Sequence, residues 1–179
     1  VFLISVISSN DVSAYDVIQN LFPDKNKDFV FNITENDIVL VKEVKNNIDV
    51  RDLEKLARSI SDTLSSEFFT KVNVGIGTPV VGVKDLARSF KEAQTALEVG
   101  KVFDTDKNIV SYDNLGIARL IYHLPTTLCE TFLKEVFKKN SIESLDHETL
   151  FTIQKFFENS LNVSETSRKL FVHRNTLVY

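Results

Sequence analysis

Apolar and polar residues recur at two different periods along this chain, and the changes of period mark out its elements. Residues 1–8 are a run rich in Val, Ile and Phe that predicts a strand. Residues 11–22 place Val12, Tyr15, Ile18, Leu21 and Phe22 at helical spacing, and Pro23, which cannot continue a helix comfortably, closes the segment. Residues 29–33 and 38–44 are β-rich runs separated by Thr34-Glu35-Asn36-Asp37, whose Asn and Asp tolerate tight-turn backbone and bond it, so they predict a hairpin. Asp49 can cap a helix over 50–68, with Leu53, Leu56, Ala57, Ile60 and Leu64 along one stripe. Residues 72–80 alternate through Val72, Val74 and Ile76, and Gly75 and Gly77 between them mark a strand that another backbone or side chain approaches closely. A second long helix runs from about residue 84 to 103 with Leu86, Phe90, Ala93 and Leu97 on its buried face, and 109–112 is a last short strand.

The order strand, helix, strand, strand, helix, strand is the split βαβ arrangement, a ferredoxin-like βαββαβ domain in which two helices cover one face of an antiparallel sheet. It is assigned to residues 1–112. Residues 113–179 read as an all-α domain with helical segments near 113–124, 125–139 and 145–161, Pro125 fitting the first turn of its helix. The fold class is therefore α+β followed by all-α.

Composition narrows the class without changing this picture. The 179 residues suffice for one large or two small domains, and 43% hydrophobic residues with only 5 Gly and 3 Pro exclude collagen-like, low-complexity and linker classes. No apolar run reaches the roughly 18 to 20 residues of a membrane-spanning helix, so no membrane is expected as a partner. One cysteine, Cys129, can close no intramolecular disulfide and reads as a core filler on its helix, and no signal peptide opens the chain; a reducing, cytoplasmic setting is expected. Opening inside an apolar run without methionine, the chain reads as a fragment of a longer product. The net charge of −4 is unevenly spread: residues 1–149 carry −6 and residues 150–179 carry +2. A basic tail on an acidic body points to nucleic-acid contact confined to the tail.

That tail carries the most specific chemistry. Asn162 stands three residues before Glu165, a capping-box-like arrangement in which Asn162 accepts from an early helix amide and Glu165 reaches back. A short helix to about Phe171, a tight connection, and a second helix opening at Arg174-Asn175-Thr176-Leu177 make a helix-turn-helix. His173, Arg174, Asn175 and Thr176 cluster at the start of the second helix, the end that enters a major groove. Arg can pair bidentately with guanine and Asn with adenine, while Ser164, Thr176 and His173 can position phosphates. Val163, Leu170, Val172 and Leu177 are spaced to hold the helices together.

The run Asn-Val-Ser-Glu-Thr followed by Leu-Phe-Val-His-Arg-Asn-Thr-Leu resembles the C-terminal helix-turn-helix of the PucR/CdaR family of bacterial transcription regulators, itself similar to the DNA-binding unit of Fis. The resemblance implies that Asn162 and Ser164 help anchor phosphates and that His173, Arg174, Asn175 and Thr176 present the reading surface, with Arg174 foremost for a base contact. Ser167 stands where the family usually has Ala. Upstream, Val74-Gly75-Ile76-Gly77, Asp85-Leu86-Ala87-Arg88-Ser89-Phe90, Glu92-Ala93 and Tyr112-Asp113-Asn114-Leu115-Gly116 are similar to the GGDEF-like domain preceding that unit. The resemblance implies a double-stranded DNA operator as partner and a small-molecule effector acting through an N-terminal domain outside this chain; the small footprint of one unit and the usual match between dimer symmetry and half-site spacing predict a homodimer or higher homo-oligomer. The resemblance also implies a recognition helix running past Tyr179.

Enzyme readings find less support. A GGDEF-type cyclase needs metal-holding carboxylates and a glycine turn, whereas the hairpin reads Thr34-Glu35-Asn36-Asp37 and the first strand ends in Ser8-Ser9-Asn10. His123 and His147 have no ligand partners at recognisable spacing, so no metal and no cofactor is expected. Gly75-Ile76-Gly77 falls far short of a dinucleotide fingerprint. The alternative from another class is a small-metabolite or nucleotide-binding sensory module without DNA binding of its own.

Overall fold

The computed structural model describes residues 1–9, 13–103, 107–137 and 144–178. Two compact units divide it, Val1–His123 and Leu124–Tyr179. The first contains strands β1 (Phe2–Ser8), β2 (Asp28–Asn32), β3 (Asp37–Lys42), β4 (Lys71–Ile76) and β5 (Ile109–Ser111), with helices α1 (Ala14–Leu21), α2 (Val50–Phe68), α3 (Leu86–Phe103) and α4 (Ala118–Tyr122). The sheet order is β2-β3-β1-β4-β5. Its first four strands are antiparallel neighbours, and β5 joins parallel to β4 after the α3 crossover. The expected βαββαβ unit is thus extended by one α-β step.

Strand alternation sorts the core into two layers. In register, Phe2 faces Leu40 and Ile76 across the ladder, and Ile4 faces Ile38 and Val74; all six are buried with α1 and α2 on one face, against Ile18, Leu53, Ala57, Ile60 and Leu64. The odd positions turn the other way. Leu3 and Val39 pack against Ala93 and Leu97 of α3, so α3 covers the opposite face. Gly75 of β4 and Gly77 just past its end explain how close it comes: a Cβ at Gly75 would stand 2.2 Å from the Ala93 carbonyl oxygen, and one at Gly77 only 1.9 Å from that of Ser89. The close approach expected at these positions is the main chain of α3.

β4 stops at Ile76 rather than continuing to residue 80. Gly77 N–H still reaches the Val1 carbonyl at 2.9 Å, but there the neighbouring strand ends, and Thr78 N–H turns to the Glu92 carboxylate at 3.0 Å. Pro79 has no N–H with which to continue the ladder. α1 is capped by Ser13, whose hydroxyl accepts from Asp16 N–H; Val12 lies outside the described residues. Asp49 caps α2 as expected, accepting from Arg51 N–H at 2.8 Å.

Residues 113–123 stay with the first unit. Gly116 (φ 53°) breaks the helix expected over 113–124 into a 3₁₀ turn, Tyr112–Asn114, and the short α4. Tyr122 Oη donates to Glu98 of α3, and the Arg119 guanidinium lies over the Tyr112 ring.

The second unit contains α5 (Thr126–Phe137), α6 (His147–Glu158), α7 (Val163–Lys169) and α8 (Arg174–Val178). Every buried apolar side chain among the described residues belongs to the first unit, while the second buries only Thr166 and Ser167. Cys129 is half-buried on α5, not enclosed as a core filler would be. At about 1.5–3 kcal/mol per fully buried large apolar side chain, the first unit dominates the stability of the chain.

Candidate nucleic-acid interface

The candidate interface lies at the ends of three helices, α6, α7 and α8. Asp146 caps α6: Thr149 N–H donates to its Oδ1 at 2.6 Å, and this bond, with the Thr149 hydroxyl, holds the carboxyl below its ordinary value. At the other end Lys155 and Gln154 donate to Glu158, holding that carboxyl down as well. α6 closes through two left-handed residues, Ser160 (φ 54°) and Leu161 (φ 62°), with Leu161 N–H on the Phe156 carbonyl at 2.9 Å.

Asn162 then starts α7, its side chain accepting from Glu165 N–H at 3.1 Å. Only this half of the expected capping box forms. Asn162 N–H is already taken by the Asn159 carbonyl, and the Glu165 carboxylate pairs with Arg168 at 3.1 Å instead of reaching back. The buried Thr166 donates its hydroxyl to the Asn162 carbonyl at 2.8 Å, and Ser167 donates to that of Ser164 at 3.1 Å. Small residues with hydroxyls satisfied on their own helix let the neighbouring backbone pack against α7 without an orphaned polar atom.

The turn into α8 is a Schellman closure. Phe171 N–H bonds the Arg168 carbonyl at 3.2 Å and Val172 N–H the Ser167 carbonyl at 3.0 Å, with Phe171 left-handed (φ 55°) where glycine is usual. Phe171 is 96% exposed, so its ring contributes no packing that offsets this strain. Phe171→Gly is expected to stabilise the second unit by about 0.5–1 kcal/mol, read as a later loss of helicity on heating; an earlier loss would contradict this account of the turn.

His173 is the cap of α8. Its Nδ1 accepts from Asn175 N–H at 3.3 Å and its carbonyl accepts from Thr176 N–H at 2.9 Å. Of the six residues expected at the interface, Asn162 and Ser164 lie at the start of α7, and His173, Arg174, Asn175 and Thr176 surround the start of α8; all six are exposed. Two of them, Asn162 and His173, spend one side-chain acceptor on helix capping. Val163, Leu170 and Leu177 are half-buried where the helices meet, while Val172 is 40% exposed. Lys169 is a further exposed cation at the end of α7. Its signal in the sequence was its place beside Arg168 and ahead of the turn.

Comparison with known proteins follows the same division. A family model described as a GGDEF-like domain matches residues 1–99, and one described as the PucR C-terminal helix-turn-helix domain matches residues 149–179, which span α6 to α8. The chain belongs to the PucR/CdaR family of transcription regulators. Among relatives of this family, the purine catabolism regulatory protein of Bacillus subtilis (strain 168) is 26% identical over 117 residues, 65% of this chain and 22% of the relative. The DNA-binding transcriptional activator AdeR of the same organism is 25% identical over 156 residues, 82% and 36% of the two chains. The carbohydrate diacid regulator of Escherichia coli (strain K12) is 24% identical over 162 residues, 88% and 41%. The chain therefore spans between about a fifth and two fifths of the length of these PucR/CdaR relatives. A crystal structure of a regulator of polyketide synthase expression from Bifidobacterium adolescentis aligns at a TM-score of 0.43 and 17% identity, covering 99% of this chain and 71% of the other.

In the GGDEF-like domain of this PucR/CdaR chain, the hairpin tip is closed on itself. Thr34 Oγ1 accepts from Asn36 and Asp37 N–H and donates to Asp37 Oδ2 at 2.9 Å. Among the described residues no group of three or more His, Cys, Asp or Glu side chains is placed to hold a metal ion, and no helix is long and apolar enough to cross a membrane. Asn10 lies outside the described residues.

Proposed function

We propose that the protein is a sequence-specific, DNA-binding transcription regulator whose second unit reads an operator through α8. The observation that carries this reading is the convergence of His173, Arg174, Asn175 and Thr176, all exposed, at the start of a helix that a tight turn sets against α7. Arg174 supplies a bidentate donor for a guanine edge and Asn175 a donor and acceptor for adenine. Asn162, Ser164 and Thr176 position phosphates, fixing the register in which the base contacts are made. The family match over these residues and the names of the relatives support the same reading.

The GGDEF-like domain serves assembly or signal transmission rather than catalysis. Its tip carries Thr34-Glu35-Asn36-Asp37 in place of a glycine turn, and the Asp37 carboxylate is engaged by Thr34. The protein works in the cytoplasm as a homodimer whose two helix-turn-helix units meet two half-sites, with a small-molecule effector acting elsewhere in the full product. Binding of the protein expressed from its complete reading frame to tiled genomic duplexes tests this. Selective binding to few fragments is expected, with affinity falling steeply between about 50 and 200 mM salt as phosphate counterions are released. Equal affinity for all fragments would remove the operator-reading function.

A further inference from the structure

β2 forms an edge of the sheet, and the two faces of that edge differ. On β2, Val30 points into the layer beneath α1 and α2, while Phe29 and Phe31 lie on the other face, 46% and 49% exposed and stacked at 6.5 Å between ring centroids. On that face α3 packs on β1, β4 and β5 and reaches Val39 of β3, while Phe29 and Phe31 of β2 stay about half exposed.

Register decides what the edge offers. Phe29, Phe31 and Ile33 pair with Val41, Val39 and Asp37 of β3, and the bonds from Ile33 N–H to the Asp37 carbonyl and from Glu43 N–H to the Lys27 carbonyl show that the odd positions bond inward. The even positions, Asp28, Val30 and Asn32, therefore direct their main-chain groups outward. Asp28 N–H is taken by the Asp24 carbonyl at 2.9 Å, which leaves the Asp28 carbonyl and both groups of Val30 and Asn32 for a further strand.

We propose that the strand added there is β2 of a second copy of this chain, antiparallel about a two-fold axis at Val30. In that register Val30 exchanges bonds with Val30 of the partner subunit, and Asn32 N–H meets the carbonyl of Asp28 of the partner subunit, in both directions. Phe29 falls beside Phe31 of the partner subunit at non-hydrogen-bonded positions, where cross-strand side chains approach closest. Charge selects the same register. The turn before β2 carries Lys25 and Lys27, the hairpin tip after it carries Glu35 and Asp37, and the two-fold axis brings each turn against the other copy's tip, with Lys25 opposite Glu35 of the partner subunit. Lys27 is held by Asp24 and Asp37 by Thr34, so Lys25 and Glu35 are the pair that forms across the interface. A self-complementary edge of this kind suits an isologous dimer.

Sedimentation equilibrium of the full chain tests the proposal without reference to DNA. The protein is expected to be dimeric at tens of micromolar. Phe29→Lys with Phe31→Lys, at exposed positions, is expected to abolish the dimer while the far-UV spectrum is kept. Lys25→Glu and Glu35→Lys are each expected to weaken it about tenfold, and the two together to restore it. A monomeric wild type, a dimer indifferent to these changes, or a charge swap that fails to restore association overturns the proposal. Because every arm is read in association alone, its failure stays distinct from a failure to bind DNA.

Discussion

Gly77→Ala is expected to lower the melting temperature of the first unit by about 10 °C or more, from a destabilisation of about 3 kcal/mol. The new Cβ would lie 1.9 Å from the Ser89 carbonyl oxygen and 2.7 Å from the carbonyl carbon, so the obstacle is helix backbone, not a side chain that could rotate away. Relief requires α3 to move off β4. That motion would stretch the bond from Ser89 Oγ to the Thr78 carbonyl at 2.8 Å and the one from Thr78 N–H to Glu92 at 3.0 Å. Gly82→Ala is the control: its Cβ meets nothing nearer than Asp85 Oδ2 at 3.9 Å. It is expected to shift stability by no more than about 0.5 kcal/mol. Equal melting of the two variants would contradict the seating of α3 on β4.

Lys42→Met is expected to destabilise the same unit by about 2 kcal/mol, measured by urea unfolding. Asp28 keeps only 6% of its side chain exposed, and Lys42 Nζ donates to both of its oxygens at 2.8 and 2.7 Å while lying over the Phe22 ring. Without the ammonium, the carboxylate keeps one main-chain donor, Glu43 N–H at 3.3 Å. A buried charge stripped of its partner typically costs about 3–5 kcal/mol, reduced here because Lys42 is itself partly open to water. Combining Lys42→Met with Asp28→Asn removes the uncompensated charge and is expected to recover much of the loss. If Lys42→Met changes nothing, the pair behaves as a surface pair and the enclosure of Asp28 has no energetic weight.

The elements that could be read from the sequence are those with a purely local cause. Val50–Phe68 has its stripe and its Asp49 cap, and Gly75 and Gly77 have no reason to interrupt a strand except close approach. Periodicity shows that Phe90, Ala93 and Leu97 face a core, but not which side of the sheet that core lies on. Hence α1 and α2 were legible as one layer while the placement of α3 on the other face was not. The end of β4 at Ile76 depends on where its neighbour stops, which is information from another part of the chain. At the candidate interface, Asn162 was legible as a cap because Asn caps helices commonly. The partner of Glu165 was not, because it turns on which acceptor had already engaged Asn162 N–H. His173 as a cap and Phe171 in a left-handed turn were missed because neither residue type ordinarily fills those positions.

The central claim, that α8 reads base edges, is tested most directly by selecting bound sequences from random duplexes with the protein from its complete reading frame and with its Arg174→Ala variant. The account predicts an enriched motif for the first. For the variant it predicts the same motif with the preference lost at one base pair per half-site, a discrimination of about 1–3 kcal/mol. No enrichment by the unaltered protein, or an identical motif from Arg174→Ala, would contradict it.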